Sequence, residues 1–164
     1  MKCRHCKNDL KHQLIDLGSS PPSNSYINSN NFNSFETYYP LRVMVCNNCY
    51  LVQTEDYAKK EVFFNDSYAY FSSTSNFFLD HAKQFSKQII KELHLDSNSS
   101  VCEIASNDGY LLKNFYIKKI KCLGIEPTLS TASKARELGI DVKTDFFSYE
   151  ISMEINKTYG KFNL

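Results

Sequence analysis

Two Cys-x-x-Cys pairs, Cys3-Arg4-His5-Cys6 and Cys46-Asn47-Asn48-Cys49, constrain this chain more than any other feature in it. Such a turn is short enough to aim two thiolates at one point. Two turns supply the four sulfurs of a tetrahedral structural zinc site, Cys3, Cys6, Cys46 and Cys49. Residues 7–45 separate the pairs, so the metal would close a long loop. That loop is polar and rich in turn formers, in Gly18-Ser19-Ser20-Pro21-Pro22-Ser23-Asn24 and again from Asn28 to Ser34. Apolar burial alone would not fold it; metal binding would supply the missing stability. Leu41-Arg42-Val43-Met44-Val45 and Tyr50-Leu51-Val52-Gln53 read as the two strands of a zinc-ribbon hairpin around the second pair. Iron also takes four thiolates, but geometry and redox inertness favour zinc. His5 is not needed to complete the set.

The other two cysteines differ. Cys102 and Cys122 each sit in a short apolar run and read as small hydrophobes of core strands. The chain has 42% apolar residues, enough for a real core, and 19 Lys plus Arg against 18 Asp plus Glu. A net charge of +1 gives no electrostatic reason to expect nucleic acid. The N-terminus lacks the apolar core of a signal peptide, and no run approaches the ~20 apolar residues that span a bilayer. A cytoplasmic location, with reduced or metal-bound cysteines, is the expectation.

Beyond residue 56 the pattern changes. Phe77, Phe78, Ala82, Phe85, Ile89, Ile90 and Leu93 recur at helical spacing behind a capping Ser75. After the polar break 96–100 the chain alternates strand 101–105, helix 109–117, strand 121–126, helix 129–138 and strand 140–143. That is half of a doubly wound sheet, and Lys161-Phe162-Asn163-Leu164 reads as a strand just begun. The expected fold is α/β: a zinc-binding module over 1–56, a linker and amphipathic helix over 57–98, and an incomplete Rossmann-like domain over 99–164, cut short inside its sheet.

The turn after the first of these strands, Glu103-Ile104-Ala105-Ser106-Asn107-Asp108-Gly109, carries the second chemical signal. Asn107 and Asp108 tolerate unusual backbone angles, and Gly109 opens the helix. With one glycine the loop suits a pyrophosphate poorly and a less anionic nucleoside cofactor better. Glu126, ending the next strand, is placed to take both hydroxyls of a ribose. Singly these are ordinary strand-end residues; their joint spacing is what points to a ligand.

At these residues the chain resembles the zinc-containing sugar C-methyltransferases. The resemblance runs through Cys3-Arg4-His5-Cys6, Asp16-Leu17-Gly18, Pro22, Asn24-Ser25-Tyr26, Tyr39-Pro40-Leu41, the segment Cys46 to Gln53, Tyr68-Ala69-Tyr70-Phe71-Ser72-Ser73, the segment Glu103 to Leu112, and Gly124-Ile125-Glu126-Pro127. It covers nearly the whole chain and matches the N-terminal part of those longer proteins. It implies a zinc-binding domain, then a Rossmann-type S-adenosylmethionine domain. The family's further C-terminal domain helps hold a nucleotide-linked deoxysugar, and a separately encoded C-terminal half could supply it. Family members methylate a carbon beside a keto group, through a base and an enolate.

Carried over residue by residue, the resemblance implies Glu103, Ser106, Asn107, Asp108 and Gly109 as cofactor contacts, with Glu126 on the ribose. Tyr70, in the segment with Tyr68, Ser72 and Ser73, takes a supporting role over the site, although Phe63, Phe64 and Phe71 nearby equally suggest aromatic packing. His81, on the helical face, reads as structural rather than as a base. The family's histidine-bearing catalytic segment lies beyond residue 164, so methyl transfer by this chain alone is not expected. The rival from another class is a non-catalytic zinc-ribbon interaction module on an α/β scaffold.

Overall fold

The computed structural model describes residues 1–65 and 68–164, which form two compact units, Met1–Phe63 and Phe64–Leu164. The first is built around two near-identical knuckles. In one, Lys7 N–H donates to the Cys3 carbonyl at 3.0 Å and Cys3 N–H to the Asn8 carbonyl at 2.7 Å. In the other, Tyr50 N–H donates to the Cys46 carbonyl at 2.9 Å and Cys46 N–H to the Leu51 carbonyl at 3.0 Å. Each pair is followed by a left-handed residue, Lys7 at φ 62° and Tyr50 at φ 61°, which turns the chain back and leaves both sulfurs inside.

A three-stranded antiparallel sheet carries the knuckles: β1 (His12–Ser20), β2 (Tyr39–Val45) and β3 (Val52–Thr54). The expected hairpin is present, with Val43 opposite Thr54 and Val45 opposite Val52. Strand β1 is longer than its turn-rich sequence suggests. It keeps pairing through Gly18-Ser19-Ser20 because register shifts, one of them between Asp16 and Ser19, absorb the irregular residues. Arg4 ties the first knuckle to the end of β3, donating to the Thr54 carbonyl at 2.8 Å and pairing with Asp56. The buried apolar centre of this unit is Cys3, Cys46 and Leu10, with Cys6, Cys49 and Met44 against it. Four of its six members are metal-site cysteines.

In the second unit α1 (Lys60–Phe63) of the first gives way, after the segment 68–75, to α2 (Asn76–Glu92), whose Ser75 hydroxyl caps Phe78 N–H at 3.3 Å. The buried stripe of α2 runs through Phe78, Ala82, Ser86, Ile89 and Ile90. Phe77, expected on that face, is 84% exposed. Ser86 takes the central place because its hydroxyl donates to the Lys83 carbonyl at 3.0 Å and can be buried satisfied.

Strands β4 (Ser100–Ile104), β5 (Lys121–Ile125) and β6 (Asp141–Lys143) form a parallel sheet in that order. They are linked by α3 (Leu112–Tyr116) and α4 (Leu129–Glu137), the crossover helices the alternation predicted. Helix α3 starts three residues later than expected because residues 105–109 form the turn. The side chains of the sheet alternate as a two-faced parallel sheet requires. Val101 and Cys122 face a core with Leu112, Phe115, Ile120 and Ile140, while Cys102, Leu123 and Ile125 face α5 (Tyr149–Tyr159) through Ile151 and Ile155. Helix α5, capped by Ser148, has no counterpart in the sequence expectations. Residues 163–164 run beside the free edge of β4: Asn163 N–H donates to the Ser100 carbonyl and Cys102 N–H to the Leu164 carbonyl, both at 2.9 Å. Among the described residues no helix is long and apolar enough to cross a membrane.

Two glycines lock the turn onto the sheet. At Gly109 (φ +77°) a Cβ would lie 2.7 Å from Ile140 Cδ1 and 3.1 Å from Ala135 Cβ; at Gly124 it would lie 2.4 Å from Ser106 Oγ and 3.1 Å from Ser106 Cβ. Gly124→Ala should therefore cost about 1–3 kcal/mol by overpacking, measured by denaturant unfolding. Adding Ser106→Ala should recover part of that loss.

Candidate functional site

The metal centre fits zinc. The four sulfurs lie within 4.8 Å of one another, with Cys3 to Cys49 at 3.6 Å and Cys6 to Cys46 at 3.5 Å. A tetrahedron with Zn–S of 2.3 Å has edges of about 3.8 Å. His5 is exposed and stands outside the set. The buried Gln53 donates from Nε2 to Cys3 Sγ at 3.3 Å while its Oε1 accepts Arg4 N–H at 3.0 Å, and Asn48 N–H donates to Cys46 Sγ at 3.4 Å. Such donors stabilise thiolate charge. The Cys6 backbone N–H, with further hydrogen bonds, brings the Cys3 thiol down to about 6. The Leu51 backbone pulls Cys49 down too, yet burial and the three neighbouring sulfurs push it up to about 12. Four adjacent thiolates conflict with one another until a dication joins them.

The second candidate site lies at the carboxyl ends of the parallel strands, where open α/β sheets bind ligands. Between β4 and α3 the backbone is left-handed at alternate residues: Ala105 at φ 58°, Asn107 at φ 51° and Gly109 at φ 77°. Three left-handed positions are thus filled with one glycine. Composition concealed it, because alanine gives no signal for positive φ and asparagine only a modest one. Ser106, fully buried between the two, points at Gly124.

Glu126 holds the turn in place. Its Oε2 accepts Asn107 N–H at 3.0 Å and its Oε1 accepts Thr128 N–H at 2.9 Å. The Asn107 side chain reaches the other way: Oδ1 accepts Ser72 N–H at 2.9 Å and Nδ2 donates to the Tyr70 carbonyl at 3.2 Å. Asp108 Oδ2 accepts Ser73 N–H at 3.1 Å, while its Oδ1 is buried without a partner among the described residues. Glu103 Oε2, Ser106 Oγ and Thr128 Oγ1 are likewise buried and unpaired. Thus Asn107 and Asp108 bind the segment 70–73 to the turn, a role that spacing alone did not reveal.

Over this turn opens a cleft of about 380 Å³, lined by Ile104, Ala105, Asn107, Ile125, Glu126 and Pro127 below and by Phe64, Tyr68, Tyr70, Ser72 and Asp145 to Phe147 around it. Its described lining holds two carboxylates and no Lys or Arg. Asp108, in the turn itself, adds a third carboxylate to the negative field. Burial, then Asp108 and Glu126, push the Glu103 carboxyl up to about 8. Burial and Glu126 raise Tyr68; burial, Glu103, Tyr70 and Asp108 raise Tyr110, so both phenols stay neutral donors. Tyr110 stacks on Phe78 at 4.9 Å, and His81 lies parallel to the same ring at 6.3 Å on the exposed side of α2, as a structural histidine would. A larger hollow of about 700 Å³ at the amino ends of the strands is lined by Tyr116, Ile117, Tyr159 and Phe162 among others and contains none of these groups.

Comparison with known proteins supports the zinc-binding module and the kinship with C-methyltransferases. Residues 3–64 match a family described as "Putative zinc binding domain". Over 159 residues, 97% of this chain, the sequence is 25% identical to the C-methyltransferase NovU of Streptomyces niveus. The chain spans 38% of that relative's length. The resemblance read from the sequence, to the N-terminal part of the zinc-containing C-methyltransferases, is shown by these two matches together.

Two outcomes test the geometry. Purified protein should carry one zinc, and chelation or Cys46→Ser should abolish hydrogen-exchange protection in β2 while β4 and β5 keep theirs. Glu103 binds its proton more tightly in the folded protein than in the unfolded chain, so between the ordinary 4.5 and about 8 stability falls as pH rises. Glu103→Gln should remove that slope: its Tm should exceed the parent's increasingly across this window, by scanning calorimetry.

Proposed function

We propose that this relative of the C-methyltransferases holds S-adenosylmethionine in the cleft above the Ala105–Gly109 turn and serves methyl transfer to a ring carbon of a nucleotide-linked keto-deoxysugar. The observation that carries the cofactor assignment is the charge of the site. Among the described residues Glu126 and Asp145 line the cleft without a Lys or Arg, and Asp108 in the adjoining turn adds a third carboxylate. Such a site repels phosphates and attracts a cationic ligand. A metal ion is a poorer fit, since among the described residues only the four cysteines bring three or more ligand atoms together.

The shape agrees with a nucleoside. Ile104, Ile125, Phe146 and Phe147 offer apolar walls for a purine, and the second lone pair of each Glu126 oxygen can accept a ribose hydroxyl. The Asp108 Oδ1, unpartnered among the described residues, is suited to an ammonium group. When bound, S-adenosylmethionine supplies an electrophilic methyl group on sulfur. The chain's own part is to orient it and keep water away: Tyr68 and Tyr70 line the cleft, and the Tyr68 phenol, held protonated by burial and Glu126, can donate to a substrate oxygen. The zinc module would be structural, closed by four thiolates with no open position for chemistry.

The deciding experiment is a calorimetric titration of S-adenosylmethionine into the zinc-loaded protein, with NAD as a comparator. Saturable binding of S-adenosylmethionine, weaker binding of NAD and at least about tenfold loss in a folded Glu126→Ala variant are expected. Preference for the anionic dinucleotide would sink the proposal.

A further inference from the structure

The segment 68–74 crosses the mouth of the cleft without belonging to the sheet, and its attachment to the turn is unusually specific. Ser72 N–H and Ser73 N–H donate to side chains 35 residues away, Asn107 Oδ1 and Asp108 Oδ2, and the Tyr70 carbonyl accepts from Asn107 Nδ2. Behind Asn107 the chain of hydrogen bonds continues: its backbone N–H donates to Glu126 Oε2, and Glu126 lines the cleft. Asp108 is engaged through one oxygen only; the other is buried and unpaired. Ser72 itself is buried although its segment is a single short turn.

We infer that Asn107 and Asp108 form a latch that positions the Tyr68–Ser73 strap over the cofactor cleft, and that Asn107 acts as a positioning residue coupling the strap to Glu126. Three hydrogen bonds across the latch fix the strap backbone at Tyr70, Ser72 and Ser73, and so fix where the two phenols stand. A ligand that engages Glu126 or the free Asp108 oxygen acts on the same groups that hold the strap, so strap and ligand favour each other through one network. The effect on ligand affinity rests on the proposed function; the latch itself does not.

The test separates the two. Asn107→Gly keeps the left-handed backbone and deletes both strap hydrogen bonds. Ser72→Pro removes only the donor from the strap side; Phe71, at φ −114° and ψ 120°, has the extended conformation that a following proline requires. Ser72→Ala, which keeps the N–H, is the control. Hydrogen exchange of the whole chain without ligand should show the amides of Ser72 and Ser73 protected. Asn107→Gly should speed exchange of the Ser72 amide, and Ser72→Pro that of the Ser73 amide, at least about tenfold, with β4 and β5 unchanged and the control like the parent. Unchanged Ser72 exchange in Asn107→Gly would overturn the latch. In the presence of S-adenosylmethionine the parent's strap should exchange more slowly still, and Asn107→Gly and Ser72→Pro should both bind about tenfold more weakly. If the parent binds S-adenosylmethionine and the two variants bind it equally well while the strap exchanges freely, the coupling is refuted. A parent that binds none refutes the cofactor assignment and leaves the latch to be judged by ligand-free exchange.

Discussion

Ala105, Asn107 and Gly109 must be left-handed together for the second unit to have a site at all. For a residue with a Cβ that conformation costs of the order of 1–2 kcal/mol, so the turn is stable only if its surroundings hold it. Glu126 does so from the neighbouring strand by accepting Asn107 N–H, and Ser106 N–H donates to the Ile125 carbonyl at 3.2 Å. The ends of β4 and β5 are thereby joined above the sheet. Gly124 leaves the room into which Ser106 folds, and Gly109 lets the turn close on Ile140 and Ala135. The cleft, the strap above it and the start of α3 all take their positions from Ala105, Ser106, Asn107, Gly109, Gly124 and Glu126.

The first unit depends on a different interaction. Apart from Leu10 and Met44 its interior is made of cysteines, so in the absence of a metal its burial would be too small to offset chain entropy. The repetition of one hydrogen-bond pattern in both knuckles explains how two distant segments meet with matching geometry. Gln53 joins them, since it contacts the Cys3 sulfur and the Arg4 backbone from β3. Its place four residues after Cys49, inside a strand, made it look like one more polar strand residue.

Much of this was legible in the sequence, and the limits have physical causes. The four cysteines were plain because ligand chemistry and turn length leave little else for such pairs to do. The alternation of β4, α3, β5, α4 and β6 was plain because each apolar run is bounded by polar turns. Strand β1 was obscured because a strand with register shifts carries the residues of a loop. Helix α5 was obscured because only Ile151 and Ile155 face the core. On α2, periodicity located the helix but not its buried edge: Phe77 looks like core by composition, whereas Ser86 is core because a local hydrogen bond satisfies it. In the turn, counting glycines missed that Ala105 and Asn107 are left-handed as well as Gly109. The side-chain hydrogen bonds from Asn107 and Asp108 to residues 72 and 73 are nonlocal, and no local pattern announces them.

The identity of residue 107 shows how backbone and site requirements converge. Its φ of 51° restricts the choice to glycine, asparagine or aspartate at acceptable cost. Glycine would ease the turn further but could not reach the strap. Aspartate could accept from Ser72 N–H, but it has no donor for the Tyr70 carbonyl and would set another negative charge beside Asp108 and Glu126, where burial and then these two carboxylates already push the Glu103 carboxyl up to about 8. Asparagine alone tolerates the conformation, accepts and donates in opposite directions, and adds no charge. A turn built only to approach a ligand closely would be best made of glycines. This one carries asparagine because it must also hold what lies above it.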